Sequence, residues 1–133
     1  MREAMFALLV LAGPAMAQDD MTHGPVDGRW ALQRIDDAPF TTHAELELSQ
    51  AGRVSGSGPC NGFAGRMEGD WPAMSIGPLR STRRACPELD QENLYFTALQ
   101  SVQHGAMRDG DLVLTDTAGR EMVFTPLPAP LDE

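Results

Sequence analysis

In the stretch HAELELS, residues 43–49, Ala44, Leu46 and Leu48 alternate with His43, Glu45, Glu47 and Ser49. Successive side chains of a strand point to opposite faces, so this pattern predicts a strand with one dry and one wet face. Trp30 and Leu32 repeat the alternation in RWALQRI, and GRVSGSG, FAGRME and AMSIGPL give weaker versions broken by glycine. DLVLTD and REMVFTP flank Thr117-Ala118-Gly119 and predict a closing hairpin. Short apolar segments separated by turn residues at this spacing predict an antiparallel sheet of roughly seven strands.

The segment PELDQENLYFTALQSVQHG, residues 87–105, breaks the alternation. Tyr95, Ala98, Leu99 and Val102 fall at i, i+3, i+4 and i+7, flanked by Leu89 and Phe96, which makes one helical face apolar. Pro87 suits a first helical turn, Glu88, Asp90 and Glu92 complement the positive end of the helix dipole, and Gly105 can supply a left-handed stop. The expected class is therefore mainly β (α+β), an antiparallel sheet with one helix inserted before the last strands.

The first seventeen residues belong to a different pattern. A weakly basic start at Arg2, an apolar run from Ala4 to Gly13, Pro14 and then Ala15-Met16-Ala17 match a cleavable export signal, with cleavage expected before Gln18. The run is about half of the roughly 20 apolar residues that a membrane span needs. Gln18, not a cysteine, stands at the cleavage position, so a soluble periplasmic or secreted product is expected, with no membrane span after signal removal. Residues 18–27 read as a flexible lead-in, 28–126 as one domain and 127–133 as a Pro-rich tail. At 133 residues there is room for a single core. The net charge of −9, and the scattering of ten arginines with no lysine, exclude nucleic acid as an expected partner and disfavour charge-driven attachment to anionic lipid.

Three segments resemble the META domain, the HslJ-like family of exported bacterial proteins. Trp30-x-Leu32 resembles its opening aromatic strand, and Cys60, Asn61, Phe63 and Gly65 match its Gly-Cys-Asn-x-aromatic-x-Gly segment. The stretch IGPLRSTRRAC is similar to the family's Gly-Pro-Leu-x-Ser-Thr-x-Met-Ala-Cys segment, and Gly110 to Leu114 to its Gly-Asp-x-Leu-x-Leu strand. Pro59 replaces the usual Gly before the first cysteine, and Arg84 replaces the usual Met. The resemblance implies an antiparallel sheet curled toward a small barrel, and an envelope role linked to stress, heat shock included, without an established catalytic activity.

The two cysteines carry the remaining chemistry. A nucleophilic Cys60 needs a base, for which only His104 is available. Zinc needs four ligands at short spacings, whereas the cysteines stand 26 apart with no nearby partner, and no Lys-Ser or Lys-Thr follows the glycine-rich stretch to make a phosphate loop. An even cysteine count in an exported chain favours a Cys60–Cys86 disulfide, worth roughly 3.5 kcal/mol for a closed loop of about 27 residues. In that reading the glycines let the backbone turn tightly and Asn61 tolerates a left-handed conformation. Arg83 and Arg84, Asn61 and Trp30 are the candidate binding residues, and no metal or cofactor is expected. The favoured function is a non-enzymatic binding or support role with an unidentified envelope protein. Its alternatives are a carrier of a small apolar or lipid-like ligand and, less favoured, a hydrolase using Cys60 or His104.

Overall fold

The computed structural model describes residues 27–49 and 52–128; the expected signal segment, nearly all of the lead-in, and the tail beyond Pro128 lie outside the described residues. Seven strands follow the alternating segments: β1 (Gly28–Ile35), β3 (Glu45–Ser49), β4 (Arg53–Ser57), β5 (Gly62–Glu68), β6 (Ser75–Ile76), β9 (Asp111–Asp116) and β10 (Glu121–Leu127). Two-residue strands β2 (Ala38–Pro39) and β7 (Arg80–Ser81) pair with β1 and β5, and β8 (Val102–Arg108) completes the set. The strand path is β6-β5-β4-β3-β1-β10-β9-β8, with every pairing antiparallel. It curls into a half-barrel. The two ends of the path meet where Gly105 N–H donates to Pro72 O at 2.8 Å and Met74 N–H to Gln103 O at 3.2 Å.

Burial follows the alternation. Leu46 and Leu48 of β3, Val54 of β4, Leu112 and Leu114 of β9 and Phe124 of β10 are buried on the concave side. In β1, Trp30 and Leu32 face inward, and a bulge between Leu32 and Arg34 shifts the phase so that Ile35 faces inward as well. The helix α1 (Leu89–Gln100) lies against this surface through Tyr95 and Leu99, neither of which is exposed at all. Tyr95 stacks at ring-centroid distances of 5.8–6.4 Å on Phe40, Phe63, Phe96 and Phe124. Its hydroxyl donates to Glu45 O at 2.8 Å, anchoring the helix to β3.

The helix ends sooner than its apolar periodicity predicts. Ser101 caps it, Val102 already belongs to β8, and His104 and Gly105 are strand residues, with Gly105 no helix stop. Pairing along β9 is what wins: β8 covers the edge of β9 that its pairing with β10 leaves open. Asp109 and Gly110, with φ of 54° and 87°, form the tight turn between them, the Asp-Gly pattern that favours a two-residue hairpin loop. Gly105 also permits a close approach, because a Cβ there would lie 2.5 Å from the Trp71 ring. At the other end of the domain β10 runs one residue beyond the expected boundary, to Leu127, which pairs with Arg29.

Leu99→Ala would remove a fully buried side chain at the contact between helix and sheet. The expected loss is about 2–5 kcal/mol of unfolding free energy, read from denaturant midpoints; an unchanged midpoint would mean that the helix is not held through this face.

Candidate functional site

The loop 58–61 joins β4 to β5, and Gly58 N–H closes it on Asn61 O at 2.8 Å. Cys60 in this loop is disulfide-bonded to Cys86, across 5.8 Å between Cα atoms. Beneath it the first turns of α1 bring in Glu92, only 2% exposed. One carboxylate oxygen, Oε1, accepts the backbone N–H groups of Cys60 and Asn61 at 2.9 and 2.7 Å. The other, Oε2, accepts Asn61 Nδ2 at 2.6 Å. An acceptor-only group thus meets three donors, the condition under which a carboxylate can be taken out of water. Gly58 leaves the space for it, since a Cβ there would fall 2.7 Å from Glu92 Oε1.

Asn61 passes the constraint on. Its Oδ1 accepts Arg84 N–H at 2.6 Å and the Thr82 hydroxyl at 2.8 Å, while Nδ2 also donates to Arg84 O at 3.0 Å. The side-chain amide therefore pairs with the Arg84 peptide groups much as a neighbouring strand would. Arg84 N–H can only donate, which fixes the orientation of the amide and turns Nδ2 toward Glu92. Asn61 does not use the left-handed conformation that it could tolerate: the residues other than glycine with positive φ are Asp36 and Asp109, among the described residues. Its side chain does the holding instead.

Above this buried network opens a cleft of about 360 Å³ whose walls include Thr82, Arg83, Arg84, Asn93 and Phe96, with Asn61 and Glu92 at its base. The structure thus brings together three of the four candidate binding residues. The fourth, Trp30, is a core residue of β1 and is not part of the cleft. His104 is exposed on β8, where it pairs with Thr115 and not at a helix end, and Cys60 is committed to its disulfide. Burial, and after it the charge of Glu45, pushes the Tyr95 phenol well above its ordinary pKa, so it serves as a fixed neutral donor. Among the described residues no cluster of three His, Cys, Asp or Glu side chains could hold a metal ion. Glu92, which the sequence marks only as a complement to the helix dipole, is a buried anchor of the loop. It stands at i, i+3, i+7 with Tyr95 and Leu99, and a charge inside an apolar stripe was its signal.

The family model described as META domain matches residues 21–129. The chain belongs to the META domain family. Among solved structures, the META fold seen here is similar to an NMR structure of a protein from Burkholderia xenovorans, with a TM-score of 0.64 and 23% identity over 90% of this chain and 94% of that one. It is also similar to the crystal structure of a DUF4847 family protein from Bacteroides vulgatus ATCC 8482, with a TM-score of 0.61 and 11% identity over 80% and 95% of the two chains. At these identities the likeness is one of fold. No curated protein matches the chain.

Two changes probe how this META domain holds its loop. Cys60→Ser with Cys86→Ser should lower stability by about 2–5 kcal/mol, and thiol labelling of the air-exposed wild type should find no free thiol. Gly58→Ala, which leaves the disulfide in place, should also destabilise by about 1–3 kcal/mol, because the new methyl displaces a hydrogen-bonded carboxylate. A Gly58→Ala midpoint equal to wild type would show that Glu92 has room to move.

Proposed function

We propose that this META-domain protein is an exported, non-enzymatic binding or support module of the periplasm, with a role in envelope stress, and that it holds an envelope protein at the cleft formed by Thr82, Arg83, Arg84, Asn93 and Phe96. One observation carries the reading: the cleft stands on a floor fastened by Glu92, Asn61 and the Cys60–Cys86 bond. A rigid floor beneath two arginines and one half-buried aromatic ring suits recognition, because little ordering remains to be done on binding. The same groups are poorly suited to chemistry. The Cys60 sulfur has no thiolate to offer, and both Glu92 oxygens are spent on donors within the fold.

The half-barrel interior supports the binding module over a carrier of an apolar ligand. Tyr95, Leu99, Phe124, Leu112 and Leu114 fill it, and the void between the helix end and β9 is about 10 Å³, at the lower limit for a single water. Export and the stress role rest on the signal-like first seventeen residues and on the family resemblance.

The test uses the full chain, expressed with its own signal segment and recovered from the periplasm. Envelope proteins captured by the wild type should fall about tenfold with Arg83→Glu and Arg84→Glu together, at an unchanged thermal midpoint. Equal capture by the variant would place recognition elsewhere, and retention of the full-length mass in the cytoplasm would remove the periplasmic role.

A further inference from the structure

On the outer face of the β4–β5 hairpin, Arg53 and Arg66 are directly opposed in the antiparallel register. Two residues along, Ser55 is opposed to Ala64, and Ala64 in turn to Arg80 of β7. Residues opposite one another across strands share a face, as do residues two apart along a strand. Arg53, Arg66, Arg80 and Glu68 therefore stand on one side of the sheet, away from the core side where Val54 and Phe63 are buried. Ser55, Ala64 and Gly77 are small, and between the long side chains lies a groove of about 690 Å³. It shares no lining residue with the cleft at Asn61.

Like charges directly opposed across a sheet, with Cβ atoms about 5 Å apart, are destabilising, and a strongly acidic chain has ample carboxylates with which to neutralise them. It does so elsewhere: Arg29 pairs with Glu45, Arg108 with Glu121 and Arg120 with Asp116. The side chains of Arg53, Arg66 and Arg80 have no hydrogen bond or ion pair among the described residues. Glu68 lines the same groove without pairing to any of them. Three arginines stand against Glu68 in the groove and Glu47 of β3, opposite Ser55 on the same face, which leaves a net positive charge of one over a small-residue floor. Guanidinium forks match tetrahedral oxyanions in bidentate geometry, and three of them suit an anion carrying two or more charges within a few ångströms. The net charge of −9 would repel an extended polyanion or an anionic bilayer, which leaves a compact ligand.

We propose that the groove between Arg53, Arg66 and Arg80 is a binding site for a phosphoryl or pyrophosphoryl group of a soluble small molecule.

Titration of the full mature chain with inorganic pyrophosphate, at constant ionic strength set with chloride, tests this. Pyrophosphate should raise the wild-type thermal midpoint in a saturable way and bind by calorimetry. Arg53→Gln with Arg66→Gln should weaken that affinity tenfold or more, and its ligand-free midpoint should equal or exceed that of the wild type, since a repulsion has been removed. Arg80→Gln alone should also weaken binding and decides the matter if the double variant fails to fold, whereas Arg108→Gln, on β8, should bind within twofold of wild type. Absence of binding to the wild type would overturn the proposal, as would variants of the groove that bind within twofold. Association with phosphatidylglycerol vesicles but not with pyrophosphate would overturn it too, in favour of a membrane surface.

Discussion

Glu92 reaches from α1 beneath the 58–61 loop, where it is almost wholly buried, and finds three N–H donors there, two from the backbone of the loop and one from the Asn61 amide. A carboxylate in such a place is tolerable only while all three remain, because a hydrogen bond to a charged group is worth about 1.5–3 kcal/mol and an unpaired buried charge costs several. The loop, the start of β5, the peptide of Arg84 and the helix are thereby committed to one relative placement. The disulfide acts on the same elements through a different free energy. It limits the unfolded chain by roughly 3.5 kcal/mol for a loop of this length but does not by itself select the hydrogen-bonded arrangement. Of the two constraints, Glu92 is the one that specifies geometry.

The placement has functional consequences because Asn61 connects the buried carboxylate to a surface. Thr82 and Arg84 are held by Asn61 Oδ1, and they form the cleft wall together with Arg83 and the helix residues Asn93 and Phe96. Phe96 is itself steadied by an edge-to-face contact with Phe63 at 5.0 Å. The groove at Arg53, Arg66 and Arg80 depends on none of this. It is set by strand register alone, so the two surfaces can be altered separately.

Most of the sheet was legible in the sequence because one wet and one dry face impose a period of two, as Ala44, Leu46 and Leu48 illustrate. The helix and the pairing of the two cysteines were legible for comparably direct reasons. What failed to show was decided by tertiary contacts. The segment from Val102 to Gly105 reads as the end of the helix, yet it pairs along the edge of β9 that β10 leaves open; the Asp109-Gly110 turn was the local sign of it. Strands β2 and β7, two residues each, exist only as partners of longer strands. Trp30 offered itself as a lining residue of a ligand cavity, whereas its alternation with Leu32 pointed to the core in which it lies. The cleft was partly visible through Arg83, Arg84 and Asn61, but Glu92 looked like one of several acids near a helix start, and its burial follows from where the 58–61 loop packs.

A double-mutant cycle on Asn61→Ala and Glu92→Gln, measured by equilibrium denaturation with the disulfide intact, tests the central role of this contact most directly. Each single change should destabilise the protein, because Glu92→Gln turns an amide donor toward a donor and Asn61→Ala leaves the Arg84 peptide and one carboxylate oxygen without partners. If Glu92 acts through Asn61, the two changes together should lose at least about 1 kcal/mol less than the sum of their separate losses. Losses that add within about 0.5 kcal/mol would contradict it, and would mean that the loop and the helix are held independently of each other.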